Sequence, residues 1–187
     1  MIDQREFSNV TKKYLSRFYD ILDAMIWEMS NADLTDSISH NFIVQMIPHH
    51  RAAVNMSCNL LQYTTLVPLQ DIAVSIVNEQ TKSIEHMTKI LSDCSGLKSP
   101  RDELQLYMQR YHQISQTMFA KMGESFASND INADFMREMI PHHKGAIQMS
   151  ENALQFPVCP ELTPILQTIV TSQKKGVQEM ECLLQCI

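Results

Sequence analysis

FIVQMIPHHRAAVNMSCNLLQ, residues 42–62, returns 93 residues later as FMREMIPHHKGAIQMSENALQ, residues 135–155. Self-similarity at a fixed offset is the first thing to read in a chain, because a missed repeat misassigns the fold. The same offset runs forward without a gap. It pairs Leu69 with Leu162, Ile76 with Ile169, Gln80 with Gln173, Met87 with Met180 and Leu91 with Leu184. It also runs backward, through Tyr14/Tyr107, Arg17/Arg110, Ile21/Ile114, Met25/Met118 and Met29/Met122. The 187 residues are therefore two tandem copies of one unit, residues 7–94 and 100–187. Residues 95–99 join them, and Gly96 to Pro100 reads as a loop by composition.

Each unit reads as three helices. Tyr14, Phe18, Ile21 and Met25 recur at helical spacing. Ser, Asp and Asn near Asp36 and near Asn129–Asp130 are candidate caps for the second helix. The third helix is expected from about Pro68 to Leu91 and from about Pro164 to Leu184. No period-two alternation competes. Only 4 glycines occur in 187 residues, which fits long helices with few turns, and there are 13 methionines. Six helices with short joints predict an all-α, antiparallel up-down bundle with pseudo-two-fold symmetry, one domain over residues 1–187.

The charge balance, 15 Lys+Arg against 21 Asp+Glu, gives −6 and argues against nucleic-acid or anionic-membrane binding, which needs a basic surface. No stretch approaches the ~18 apolar residues of a membrane span. The first twenty residues carry charges throughout and no apolar core of a signal peptide, so the chain reads as cytoplasmic, or as exported if a leader has been removed. Five cysteines, Cys58, Cys94, Cys159, Cys182 and Cys186, are an odd number without a C-x-x-C. They are expected as reduced core thiols rather than a disulfide framework. Cys182 and Cys186, four apart, could form a soft-metal or redox pair.

At 100° per residue His49 and His50 fall on the apolar face of the second helix, with Phe42, Met46, Ala53, Met56 and Leu60. His142 and His143 do the same among Phe135, Met139, Ala146, Met149 and Leu154. Pro48 and Pro141 fall on the polar side, with Arg51, Asn55 and Asn59, where a lost helix hydrogen bond costs least. In the third helix Leu69, Ala73, Ile76, Gln80, Ile84, Met87 and Leu91 form the inward stripe, placing Gln80 and Gln173 in the interior. There a glutamine must find a partner or cost free energy. Met25, Met29, Met118 and Met122 share the core stripe of the first helix of each unit. His40, His86 and His112 are expected at the surface.

Four inward neutral imidazoles with inward thioethers are a soft ligand set that suits copper, especially Cu(I). A methionine stripe is also ordinary core filler, and a single inward histidine is ordinarily a hydrogen-bonded core residue. Two adjacent inward histidines repeated in the same methionine frame point further. A di-iron carboxylate site would use Glu-x-x-His twice. No acidic residue stands three before any of the seven histidines, and Met46/His49 and Met139/His142 put a thioether there instead. No nucleophile elbow and no phosphate-cradling glycine loop occurs.

The double MIPHH, each followed by an Ala-x-x-Met frame and a later Gln and Met, resembles the bacterial domain-of-unknown-function family 305. The resemblance covers residues 40–94 and 133–187. It implies a ferritin-like helical bundle and, from some members, copper binding and resistance. Its motif positions are Phe42, Met46, Ile47, His49, His50, Ala53, Met56, Gln80 and Met87. In the second copy they are Phe135, Met139, Ile140, His142, His143, Ala146, Met149, Gln173 and Met180. Two features depart from the pattern. The export signal or lipid anchor usual in the family is not visible. The glutamate usual three residues after the glutamine is Ser83 in one copy and Gly176 in the other, which leaves the site less acidic and favours a monovalent soft ion.

The expected function is soft-metal binding for sequestration, buffering or delivery, without turnover. Copper is the expected ion, with zinc or iron as the alternatives. His49, His50, His142 and His143 would be primary ligands and Met46, Met56, Met139 and Met149 thioether ligands. Met25, Met29, Met118, Met122, Gln80, Gln173, Met87 and Met180 would be auxiliary. The competing expectations are a metal-free structural or interaction bundle with core histidines, and a redox enzyme using iron or copper at the same residues. The expected partner is the metal ion, with no nucleic acid and no membrane, and a homo-oligomer is compatible with the chain.

Overall fold

The computed structural model describes residues 7–187; residues 1–6, within both the expected domain and the charged N-terminal stretch, lie outside the described residues. Six helices follow in order: α1 Asn9–Ser30, α2 Ile38–Leu60, α3 Val67–Cys94, α4 Arg101–Gly123, α5 Ile131–Ala153 and α6 Leu162–Leu184. No strand occurs among the described residues. The second helices open at Ile38 and Ile131, again 93 apart. Their caps satisfy amide donors that the first turn leaves free. Ser37 Oγ accepts from the His40 amide, and Asp130 accepts from the Asn132 and Ala133 amides. Among the described residues no helix is long and apolar enough to cross a membrane.

Four helices close a ring: α2 packs on α3, α3 on α6, α6 on α5, and α5 on α2. α1 flanks α2, and α4 flanks α5. The repeat is visible in single bonds. Asn59 Nδ2 donates to the Tyr14 carbonyl at 3.1 Å, and Asn152 Nδ2 to the Tyr107 carbonyl at 3.2 Å. Both tie a central helix to its flanking one. Exposed ion pairs such as Arg51–Glu28 and Lys144–Glu181 join neighbouring helices but contribute at most about 1 kcal/mol each. A single buried Phe or Met side chain contributes about 2 kcal/mol, so the core of Phe18, Phe42, Phe135, Met46 and Met139 decides stability.

The amphipathic reading of α2 and α5 requires a correction. Pro48 is buried, Pro141 is half-buried, and Asn59 and Asn152 are buried rather than solvated. α2 touches α1, α3 and α5, so part of its expected polar face, at Pro48 and Asn59, is covered, while Arg51 and Asn55 stay exposed as expected. A wheel assigns one buried arc; a helix at the centre of a bundle has several.

The cysteines depart from expectation too. Cys94, the last residue of α3, and Cys159, in the α5–α6 joint, form a disulfide between the two repeats. Cys58, Cys182 and Cys186 are free and exposed, not core thiols. The pairing spans 65 residues of sequence and exists because bundle closure brings the end of one unit beside a loop of the other. Local spacing carries no sign of it.

One buried acid also escaped the sequence reading. The Tyr14 hydroxyl donates to Glu138 Oε2 at 2.8 Å, joining α1 of the first unit to α5 of the second. Burial pushes the Glu138 carboxyl up to about 8; the Tyr14 bond opposes this and Asp134 adds to it. The offset pairs Glu138 with Gln45 and Asp134 with Asn41, so the second unit carries acids where the first carries amides. Asp134 accepts from the Ser128 amide as Asn41 Oδ1 does from the Thr35 amide. At neutral pH Glu138 is protonated. Its folded-state affinity for the proton exceeds the unfolded one, so its stabilising contribution is complete below about 4.5 and is lost as pH rises through about 8. Stability is expected to fall between pH 6.5 and 9, read as urea midpoints, and Glu138→Gln is expected to abolish that fall. An unchanged decline would place its cause elsewhere.

Candidate metal centre

Where α2 and α5 pack, the two His pairs of the repeat meet. The rings of His49 and His142 lie face to face, centroids 3.7 Å apart and 33° between planes. His50 and His143 each stand 5.9 Å from the neighbour on their own helix. All four imidazoles are buried, at 2 % exposure or less. Side chains one residue apart on a helix diverge by 100°, so a doublet presents one ring to the partner helix and one toward α3 or α6. His50 accordingly lines a cleft of about 510 Å³ whose other walls come from α3 and α6.

The protonation pattern is partly fixed by hydrogen bonds. His142 Nε2 lies 3.1 Å from the His49 carbonyl. A carbonyl oxygen only accepts, so the proton sits on Nε2 and the His142 Nδ1 lone pair is bare. The Nδ1 atoms of His49, His50 and His143 are also buried without a hydrogen-bond partner. Each orphaned polar atom costs about 1–3 kcal/mol. Four of the buried unpaired atoms thus gather in this one cluster. Burial holds His49 and His143 well below the usual imidazole range, and the neighbouring rings push the same way. The Met139 carbonyl, one turn back, opposes the shift at His143 without satisfying its Nδ1. Burial also takes His50 down to about 3 and His142 to about 4. All four rings are therefore neutral at pH 7, the state in which imidazole ligates a metal.

The thioether at a histidine nitrogen is Met118. Its Sδ lies 3.3 Å from His49 Nε2, bringing α4 of the second unit to α2 of the first. Gly145 makes the approach feasible: a Cβ there would overlap Met118 Sδ and Cγ. The first unit has Ala52 at this position and Met25 in place of Met118. There, His142 turns its Nε2 to a carbonyl instead. Gly176 leaves similar room on α6, where a Cβ would lie 3.0 Å from His143 Cδ2 and 3.2 Å from Nε2. Its counterpart Ser83 has a buried hydroxyl without a partner.

Met46, Met56, Met139, Met149, Met25, Met29, Met122, Met87 and Met180 are all buried in the core. Gln80 is buried with both amide atoms unpaired, and Gln173 with its Oε1 unpaired; both line the α3–α6 cleft. His86 and His112 are exposed as expected. His40 is not free at the surface: it is half-buried, with Nδ1 2.8 Å from Ser95 Oγ and Nε2 2.9 Å from the Asp33 carbonyl. Among the described residues, three His, Cys, Asp or Glu ligand atoms come within 4.8 Å of one another at Cys94, Cys159 and Glu161, and not at the histidines. The His cluster is thus no closed cage for a tetrahedral ion, which takes four ligands. Its donor chemistry, neutral imidazoles with unpaired Nδ1 atoms and a thioether against His49 Nε2, fits an ion of low coordination number.

The family model described as Domain of unknown function (DUF305) matches residues 35–184. A crystal structure of a DUF305 fragment from Deinococcus radiodurans is similar with a TM-score of 0.59 at 21% identity. The match covers 80% of this chain and 97% of that one. No curated protein matches the chain.

Proposed function

This chain belongs to the DUF305 family, and from that premise we propose that it binds a soft metal ion, copper as Cu(I), for sequestration, buffering or delivery, without turnover. The observation that carries the reading is the His49 Nε2–Met118 Sδ approach at 3.3 Å inside a neutral, buried four-imidazole cluster with bare Nδ1 atoms. His49 and Met118 would hold the ion, with His142, whose ring packs against His49, as a further nitrogen donor; His50 and His143 would line its surroundings. Bound Cu(I) would supply a soft Lewis-acid centre that satisfies these lone pairs. The chain's own residues keep the rings uncharged by burial and exclude hard carboxylates. Gly145 and Gly176 keep Met118 and His143 in place. Two clefts lead inward, the α3–α6 cleft to His50 and one of about 630 Å³ to Met118 and Gly145.

A second reading rests on the His142–His49 carbonyl bond and the stacked rings, which a purely structural core would also use. An anaerobic Cu(I) titration against a chromogenic chelator, with Zn(II) in parallel, separates the two. Affinity tighter than micromolar for Cu(I) is expected, with Zn(II) weaker. Met118→Leu, which keeps volume, and Gly145→Ala, which displaces the thioether, should each weaken Cu(I) at least about tenfold, roughly the free energy of one lost ligand contact. Changing His49, His50, His142 and His143 together to alanine should remove binding. Unaltered affinity in Met118→Leu and in the folded four-histidine variant would leave only the structural reading.

A further inference from the structure

We propose that Cys94, Cys159 and Glu161 are a second, redox-controlled metal site that takes Zn(II) when the inter-repeat disulfide is reduced. It stands apart from the histidines and does not depend on their function. The ligand atoms of these three residues lie within 4.8 Å of one another, the closest such convergence among the described residues. Glu161 Oε2 is 2.9 Å from Cys159 Sγ. Two buried sulfurs beside one exposed carboxylate are a borderline donor set, and with one water they complete the four positions of zinc.

The sulfurs are opposed by more than their own bond. The Cys94 carbonyl accepts from Ser37 Oγ at 3.3 Å, and the Cys159 amide donates to Ser39 Oγ at 2.9 Å. Both serines stand at the N-terminal end of α2, two residues apart. His40, the residue after Ser39, bonds Ser95 beside Cys94. One helix end therefore holds both cysteine backbones, and cleaving the S–S bond leaves two thiols facing each other. Glu161, the N-cap residue of α6, is anchored by that helix.

The chemistry balances. A dithiol reductant transfers two electrons to the disulfide and leaves as its own cyclic disulfide, giving two protein thiols. Zn(II) then replaces the two thiol protons, which go to solvent, and accepts one Glu161 oxygen. Thiolate ligands and the S–S bond exclude each other, so oxidation expels the ion.

The test uses the full chain with Cys58, Cys182 and Cys186 changed to serine, which removes the other thiols. Zn(II) is titrated against a chromogenic chelator, once oxidised and once after phosphine reduction, and Co(II) is substituted to read sulfur-to-metal charge transfer in the near ultraviolet. Reduction should add one zinc per chain of sub-micromolar affinity, with a cobalt–thiolate band. Glu161→Gln should weaken it about tenfold, and Cys94→Ser with Cys159→Ser should remove it. Equal zinc uptake in the oxidised and reduced chains, or reduced uptake without the cobalt band, overturns the proposal. The oxidised-against-reduced comparison in the three-serine chain decides even where the Cys94→Ser, Cys159→Ser variant does not fold.

Discussion

Metal-free protein is expected to lose stability at about 4 kcal/mol per pH unit as pH falls from 6.5 toward 4.5. The four buried histidines set the slope. Each has a folded-state pKa lowered by burial, so its stabilising contribution is present above the unfolded value of 6.5 and is lost as pH falls toward the folded one. Between those limits the unfolded chain binds four protons that the folded chain refuses, at about 1.4 kcal/mol per proton per pH unit. Glu138 works the other way over part of the range, since its folded pKa of about 8 lies above its unfolded one; one proton against four leaves about three. At the lower end of the usual range, about 5–8 kcal/mol of stability, the domain then unfolds between about pH 5 and 4.5. Urea midpoints measured every half unit from pH 8 to 4.5 read this directly. Cu(I) saturation should shift the fall to lower pH, because a ligated nitrogen must be stripped of metal before it takes a proton. A midpoint flat between pH 6.5 and 5 would mean that the rings titrate as if hydrated, and the closed cluster would be wrong.

Loss of the Cys94–Cys159 bond is the other large effect. The cross-link closes a 65-residue segment. In the chain-entropy account a loop of that length stabilises by about 4 kcal/mol, chiefly by restricting the unfolded state. The Cys94→Ala, Cys159→Ala double variant should therefore show a urea midpoint lower by that free energy divided by the m-value, with a helical far-ultraviolet spectrum little changed. The three hydrogen bonds that organise the region, those from Ser37, Ser39 and His40, persist in the variant. A loss below about 1 kcal/mol would show that the unfolded chain is already compact enough to keep these residues close.

The duplicated MIPHH segment made the architecture legible, because an offset that holds over two units predicts paired helices, paired caps and a pseudo-two-fold axis at once. Ile38/Ile131 and the Asn59/Asn152 bonds answer that expectation residue by residue. Inward placement of the four histidines was equally readable from spacing. What escaped was whatever depends on the two units being packed against each other. Pro48 is buried, and Glu138 meets a tyrosine 124 residues away. Cys94 and Cys159 have Ile187 and Leu66 as their repeat counterparts, so the symmetry that revealed everything else was silent about them. The sequence places Met118 on the same footing as Met25. Only the glycine at 145 distinguishes it, and that signal has meaning once the α4–α5 contact is known.

Gly145 opposite Ala52, Gly176 opposite Ser83 and Glu138 opposite Gln45 share a consequence that reaches past chemistry. In a dimer of identical chains every substitution is written twice, and a change that helps one side must be tolerated on the other. Joining the two copies end to end removes that constraint. One half can give up a methyl group to admit a thioether while the other keeps it, and heredity can then revise each half of the centre separately.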